Sequence, residues 1–410
     1  MNITQGKLFW NENAGILKQY PYLSKNRKCD VVVVGAGITG AITAFIQAKE
    51  GASVIVLDKN IIGYGSTIEN NGVIDTRIDF NSKVLKNIDG KNIQKINTLC
   101  KEAMYILEDV ITEISKDEDC SKYIEKLGFK NVDLLVYSDK ITSKINMFKN
   151  FEKLSKEDKE IEYLEQDPLV NLKTGIIFKD SAALLNPYIL TQLIFIYLSK
   201  KENVEIYENT EVLGINPMDD TVETITRNKF KIISKNVILT SPMFSLKYLK
   251  DEKISIKKTF SLVTERINNL DNDLINVVYK DVSNSNKTIS FTKDKRIIIT
   301  GEDVKQNEKM FNEDYFKHIA NGKYKRLLLE LISLINLPID IKVSNCFYGI
   351  YIDTKDDLPI IDEIENMPNV YFNLGVGKNG IIYSIFGAKM LKDITKRSHV
   401  KDMYLFRENR

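Results

Sequence analysis

The chain is poor in the residues that most ligand chemistries need. Only two histidines, His318 and His399, occur in 410 residues. The four cysteines, Cys29, Cys100, Cys120 and Cys346, are far apart and form no CxxC or His-flanked pair. Zinc and non-haem iron centres draw on such clusters, so no metal site is expected. Four thiols are also too few to staple a chain this long, which favours a reducing compartment. Net charge is nearly absent: 58 basic against 56 acidic residues leave +2. Nucleic acids and anionic membranes select a basic excess, so neither is an expected partner. A membrane span is missing as well. The most apolar stretch, Val31 to Ala48, contains three glycines, two threonines and a glutamine and is flanked by Lys28, Asp30, Lys49 and Glu50. That composition suits a bilayer poorly. The opening MNITQGKLFW lacks the basic-then-apolar order of a secretion signal, and a cytoplasmic location is expected.

What the chain does have is a 43% hydrophobic fraction, enough to fill the cores of two domains or one large two-lobed molecule. Its organising stretch is Asp30 to Asp58. Val31 to Val34 run into Gly35-Ala-Gly37-Ile38-Thr39-Gly40, an apolar helix-like segment follows, and a second β-branched run from Val54 ends at Asp58. A continuous apolar run bounded by glycines reads as a strand of a parallel sheet, buried on both faces. Gly35 permits a tight turn, Gly37 lets a pyrophosphate approach the backbone, and Gly40 lets the next helix pack on the strand. The helix start offers N–H groups to phosphate. Asp58, followed by Lys59, stands where an acid can bond an adenosine ribose. Taken alone, this motif fits NAD and FAD equally well.

Along the rest of the chain, residues 1–28 read as an irregular lead-in anchored by Trp10, Tyr20 and Tyr22. Gly63-Tyr-Gly65-Ser66-Thr67 and Asn70-Asn71-Gly72 form a small, polar loop suited to running beside a flat cofactor. Apolar spacing predicts helices over Asn92–Ile114, Tyr188–Ser199, Tyr315–Ile335 and Tyr383–Leu391. Strands are expected at Asn131–Tyr137, Gly175–Phe178, Val204–Tyr207, Thr210–Val212, Phe230–Ile233, Asn236–Thr240 and Val370–Phe372, with a strand-rich region from Ile254 to Val304. Ser138 to Glu165 reads as exposed helix and turn. A second glycine-rich strand-to-helix turn, Gly375-Val-Gly377-Lys378-Asn379-Gly380-Ile381, suggests that the tail returns to the cofactor.

These residues resemble the FAD-dependent oxidoreductases of the D-amino-acid oxidase, glycine oxidase and sarcosine oxidase superfamily. The likeness sits in three ordered segments: residues 30–67, the pair KDSAALLNPYIL and ENTEV, and the tail from GIYIDTKDDLPIID to GVGKNGIIYSIFGAKML. It implies an α/β fold, with a Rossmann-like FAD-binding domain built on a glutathione-reductase-like doubly wound sheet and an inserted antiparallel-sheet substrate domain. The first would gather residues 1–80, 171–250 and 341–410, and the second residues 81–170 and 251–340.

The implied reaction is oxidation of a C–N bond in a small amine or amino acid, with a hydride passing to flavin N5. The implied cofactor contacts are Gly35, Gly37, Ile38, Thr39, Gly40, Asp58, Lys59, Gly65, Ser66, Thr67, Asn71, Gly72, Glu211, Val212, Thr240, Gly349, Gly377, Asn379, Gly380 and Ile381. Lys378 and Tyr348 are the candidates at the reacting ring. FAD is expected without a covalent link, and Cys346, in a segment similar to the Cys-Met-Tyr of monomeric sarcosine oxidases, is the thiol that would carry one.

The pattern departs from the family in two places. Ser290, Phe291 and Thr292 stand near where glycine-oxidase-like members carry an arginine for the substrate carboxylate; neither hydroxyl replaces it, so either the substrate is not a simple α-amino acid or Lys378, where such sequences have an arginine before Asn-Gly-Ile, takes that role. Thr240-Ser241-Pro242 replaces the usual Ala-Thr-Gly. The first departure motivates an alternative, a flavin-binding partner or regulatory subunit whose catalytic lobe has degenerated. Neither histidine is assigned a role.

Overall fold

The structure is a computed structural model. It describes residues 8–410 except 13, 79, 81, 139, 157, 159, 168–169, 251–253, 283–286, 308–309, 311, 336–340, 376, 397 and 399, so His399 lies outside the described residues. The chain begins with β1 (Arg27–Val34), α1 (Ile38–Lys49), β2 (Val54–Leu57) and β3 (Val73–Asp75), then α2 (Gly90–Ser115) and β4 (Lys130–Ser138). There follow α3 (Lys144–Leu154), β5 (Ile161–Leu164), β6 (Thr174–Leu184), α4 (Pro187–Leu198), β7 (Val204–Tyr207), β8 (Val212–Pro217), β9 (Val222–Thr226) and β10 (Lys231–Leu239). The last part runs β11 (Ile254–Thr264), β12 (Val277–Asp281), β13 (Thr288–Phe291), β14 (Ile297–Lys305), α5 (Glu313–Leu334), β15 (Val343–Thr354), β16 (Ile360–Glu363), β17 (Val370–Leu374) and α6 (Gly380–Thr395).

The first sheet has the order β16-β17-β10-β1-β2-β7, parallel along that path except for β16, with the antiparallel β8–β9 hairpin joined to it through β10. Its valine runs are buried on both faces, as continuous apolar strands require. Val31, Val33, Val54 and Val56 point into a core shared with Ala41 and Phe45 of α1, Ile194 of α4 and Ile385 of α6. Val32, Val34, Ile55 and Leu57 point the other way, against Val212, Ile215 and Val222 of the β8–β9 hairpin. One face is therefore covered by helices and the other by a hairpin.

The second sheet, β15-β11-β14-β13-β12-β4-β6-β3 with β5 on β6, is antiparallel apart from the β12–β4 pair. Helix α5 covers one face, where Tyr324, Leu327 and Leu331 meet Phe260, Leu262, Ile299 and Cys346. On the other face Val263, Ile298 and Phe347 pack against Leu8, Phe9 and Trp10. Sheet membership does not follow the expected boundaries. β3, β6 and β15, from segments expected in the nucleotide part, join the second sheet, while α2, expected in the inserted part, packs on the first core.

Several local expectations change. Phe230–Ile233 and Asn236–Thr240 are one strand, β10, because its first half pairs with β9 while its whole length pairs with β1. β8 starts only at Val212, so Thr210 and Glu211 precede it, and β9 carries no strong sequence signal. The expected loop-and-helix region 138–165 also contains β5, recruited by pairing with β6. Tyr22 is 62% exposed and anchors nothing, whereas Trp10 Nε1 donates to Asn70 O at 2.6 Å and Tyr20 packs on the first core.

Candidate functional site

Both glycine turns open onto one cavity of about 680 Å³, within the usual range for cofactor and ligand pockets. The amino-terminal turn is built by close approach. Gly35 has φ +111°, a left-handed conformation that favours glycine. A Cβ on Gly40 would lie 1.8 Å from the carbonyl oxygen of Gly35, so α1 can seat on β1 only because that atom is absent. The carboxy-terminal turn has a close approach at the same spacing with the roles exchanged: a Cβ on Gly375, at the strand end, would lie 2.3 Å from Gly380 O of the helix. The starts of α1 and α6 are tied together by a Thr39 Oγ1 to Ser384 Oγ hydrogen bond of 2.6 Å. Two helix N-termini thus converge on the cavity, a ready arrangement for phosphate and for a polar ring edge.

The wall facing the first sheet is polar and held by backbone donors. Asp58 accepts from Ala36 N at 2.7 Å and Asn60 N at 2.8 Å, while burial raises its carboxyl above the ordinary range. Each carboxylate oxygen keeps a lone pair for a further donor such as a ribose hydroxyl. Thr67 Oγ1 accepts from Ile38 N at 2.9 Å, and a Cβ on Gly37 would come within 2.8 Å of that hydroxyl. Ser66 Oγ donates to Ile350 O at 3.0 Å, tying the loop to β15. The Thr240 hydroxyl lies 2.8 Å from Gly35 O, and the Ser241 and Pro242 that follow it line the cavity beside the turn. The residues fit a dinucleotide: two glycine cradles, two helix starts and an acid stand along one cavity.

Of the sequence candidates, the cavity wall gathers Gly35, Gly37, Ile38, Thr39, Asp58, Lys59, Gly65, Ser66, Thr67, Asn71, Glu211, Val212, Thr240, Gly349, Gly377, Lys378, Gly380 and Ile381. It leaves out five others. Gly40 packs helix against strand. Gly72 makes room for Trp10, since a Cβ there would lie 2.7 Å from the indole. Asn379 precedes α6 without a side-chain cap.

Tyr348 requires correction, and Cys346 is a buried thiol off the cavity wall. Both face α5: Tyr348 meets Phe316 edge-on at 4.8 Å, and Cys346 is fully buried in the cluster below that helix. Burial pushes the Cys346 thiol up to about 12, the opposite of an activated nucleophile. Side chains alternate along a strand, so an odd shift of three residues changes face. Gly349 and Tyr351, rather than Cys346 and Tyr348, reach the cavity.

The sequence did not single out Tyr351, Asp303, Thr259, Thr300 or Glu69. Tyr351 OH donates to Asp303 Oδ2 at 3.1 Å, and Lys378 Nζ lies 3.1 Å from the same oxygen. Glu69 lines the cavity beside Gly349, and burial pushes its carboxyl up to about 7. Lys258, close enough to Glu69 to stabilise its anion, is itself buried over the Phe316 ring at 3.9 Å, and that burial lowers its ammonium. Only the alternation along β15 hinted at Tyr351. The others come together through strand pairing.

A second cavity, of about 800 Å³, lies next to the first and shares Asn71 with it. Phe9 and Trp10 line one side, and Ser290, Phe291 and Thr292 another. The departure at residues 290–292 therefore stands in this neighbouring chamber and not on the wall of the first. Among the described residues no cluster of three or more His, Cys, Asp or Glu could hold a metal, and no helix is long and apolar enough to cross a membrane.

Comparison with known proteins agrees with the geometry. The family model described as FAD dependent oxidoreductase (DAO) matches residues 30–394. Among curated proteins, the probable oxidoreductase OrdL of Haemophilus influenzae is 24% identical over 257 residues, 60% of this chain and 58% of its own length. A putative Rieske 2Fe-2S iron-sulfur protein, YhfW, of Bacillus subtilis is 30% identical over 71 residues, 17% of this chain and 14% of its own length. The chain thus spans less than two-thirds of the curated relatives it matches. Among solved structures, glycine oxidase from Geobacillus kaustophilus superposes with a TM-score of 0.77 at 16% identity, over 94% of this chain and 99% of that one. L-proline dehydrogenase from P. horikoshii superposes with a TM-score of 0.68 at 18% identity, over 93% and 97%. At such identities the likeness establishes the fold.

Proposed function

The chain belongs to the FAD-dependent oxidoreductase (DAO) family, and from that premise we propose that it oxidises the C–N bond of a small amine or amino acid. The observation that carries this reading is the single cavity shared by two glycine turns more than 300 residues apart, closed by Tyr351 and Lys378. The names of two neighbouring folds, a glycine oxidase and an iminodiacetate oxidase, support the C–N chemistry.

When bound, FAD supplies the acceptor for a hydride leaving the carbon that bears nitrogen. The protein's own share is placement and electrostatics. Gly35, Gly37 and the start of α1 would hold the pyrophosphate, and Asp58 the ribose. The start of α6 would favour negative charge at the polar edge of the ring. Glu69, titrating near neutrality, can take the proton of an incoming ammonium so that the nitrogen lone pair becomes available.

Anaerobic titration of the flavin-loaded protein with primary and secondary amines and amino acids tests the proposal. Bleaching of the flavin band by a member of the panel is expected. A flavin that photoreduces normally yet stays oxidised with every amine and amino acid would contradict it.

A further inference from the structure

The geometry points to a substrate class within the proposed reaction, and so rests on that proposal: the reacting end of the cavity disfavours a carboxylate, and Asp303 is the residue that sets this preference. Lys378 is the wall lysine beside the second glycine turn, and its charge is already answered from the protein side. Its Nζ lies 3.1 Å from Asp303 Oδ2, with the two side chains only 15% and 17% exposed. Tyr351 OH donates to that same oxygen at 3.1 Å. Asp303 is not part of the wall, and its other oxygen, Oδ1, is buried without a hydrogen-bond partner. A substrate carboxylate brought to Lys378 would compete for an ammonium already held and would sit close to a buried anion. At low local dielectric that repulsion is costly.

The remaining charges on the wall point the same way. Among the described residues, the other two wall lysines, Lys59 and Lys247, follow β2 and β10 at the nucleotide end. The reacting end adds a carboxylate, Glu69, whose backbone meets Gly349, two residues along β15 from Tyr351. One compensated cation and one carboxylate suit an ammonium or a neutral amine. They do not suit an α-amino acid, whose carboxylate asks for an uncompensated cation.

Acetate is the probe, added to the flavin-loaded protein and followed by the perturbation of the flavin spectrum. Asp303→Asn keeps the shape and removes the counter-charge. Acetate should bind this variant about tenfold or more tightly than it binds wild type. Adding Lys378→Gln should abolish the gain. Wild type binding acetate as tightly as Asp303→Asn, or a gain that survives in the double variant, would overturn the inference.

Should Asp303→Asn fail to retain flavin, the wild-type protein decides through a matched pair. Benzylamine should reduce the flavin at least about tenfold more efficiently than phenylglycine, which adds only the carboxylate. Equal or better reduction by phenylglycine refutes the assignment. Reduction by neither compound counts against the proposed reaction, and millimolar or tighter binding of acetate to the flavin-loaded wild type, lost in Lys378→Gln, would then refute the assignment on its own.

Discussion

Gly40→Ala isolates the contact on which the nucleotide site depends. The new methyl carbon would begin 1.8 Å from Gly35 O and 3.1 Å from Thr240 Oγ1. The first neighbour is backbone, fixed by the turn at φ +111° and close to the Thr240 hydroxyl, so no side chain can yield. The start of α1 must instead retreat from β1 by more than about 1 Å to restore ordinary contact. Overpacking of this kind costs about 1–3 kcal/mol in stability. The retreat also draws the first-turn amides away from the bound phosphates, and an FAD affinity about 10–100-fold weaker is expected. Quenching of flavin fluorescence on titration measures the affinity, and circular dichroism confirms the fold. Gly214→Ala is the control, because nothing lies within 4 Å of its Cβ position on β8. Gly40→Ala binding FAD as tightly as wild type would refute the reasoning.

Further outcomes follow from the same geometry. Acid precipitation of the yellow protein should leave all colour in the supernatant, since Cys346 lies under α5 and off the cavity wall; colour in the pellet would contradict that placement. In the flavin-free protein the folded state holds the Glu69 proton up to about pH 7, above the ordinary 4.5, whereas the unfolded chain has already released it. Stability should therefore fall as pH rises from about 4.5 to 7, by at most about 3 kcal/mol. Glu69→Gln should flatten that part of a melting-temperature profile. Trp10→Ala removes the indole that fills the space above Gly72 and donates to Asn70 O, at a cost of about 2–3 kcal/mol. It should also widen the second cavity beside Asn71 and let bulkier amines reduce the flavin; unchanged thermal stability and unchanged selectivity would contradict both expectations.

The nucleotide half was the legible half, for a physical reason. Valine runs, glycine spacing and an acid at a strand end are local patterns, and local patterns survive in one dimension. Gly35 to Gly40 and Gly375 to Ile381 could each be read without knowing what they pack against. The reacting end is assembled differently. Asp303 is an ordinary acid near the end of β14, and Lys378 a lysine among 58 basic residues; the β11–β14 and β11–β15 pairings bring Asp303 beside Tyr351, and a Gly377 N to Ile352 O hydrogen bond of 3.0 Å brings the turn of Lys378 to the same strand. Cys346 and Tyr348 were attractive by likeness, but the face of a strand is decided by its neighbours. Here α5 claims the face of β15 that carries Cys346 and Tyr348.

Hydrogen exchange with and without FAD tests the shared cavity most directly. Addition of FAD should slow exchange together at Gly35–Gly40 and at Gly377–Ile381, two segments far apart in sequence. Slowing at the amino-terminal turn alone, with the carboxy-terminal turn unchanged, would contradict the account.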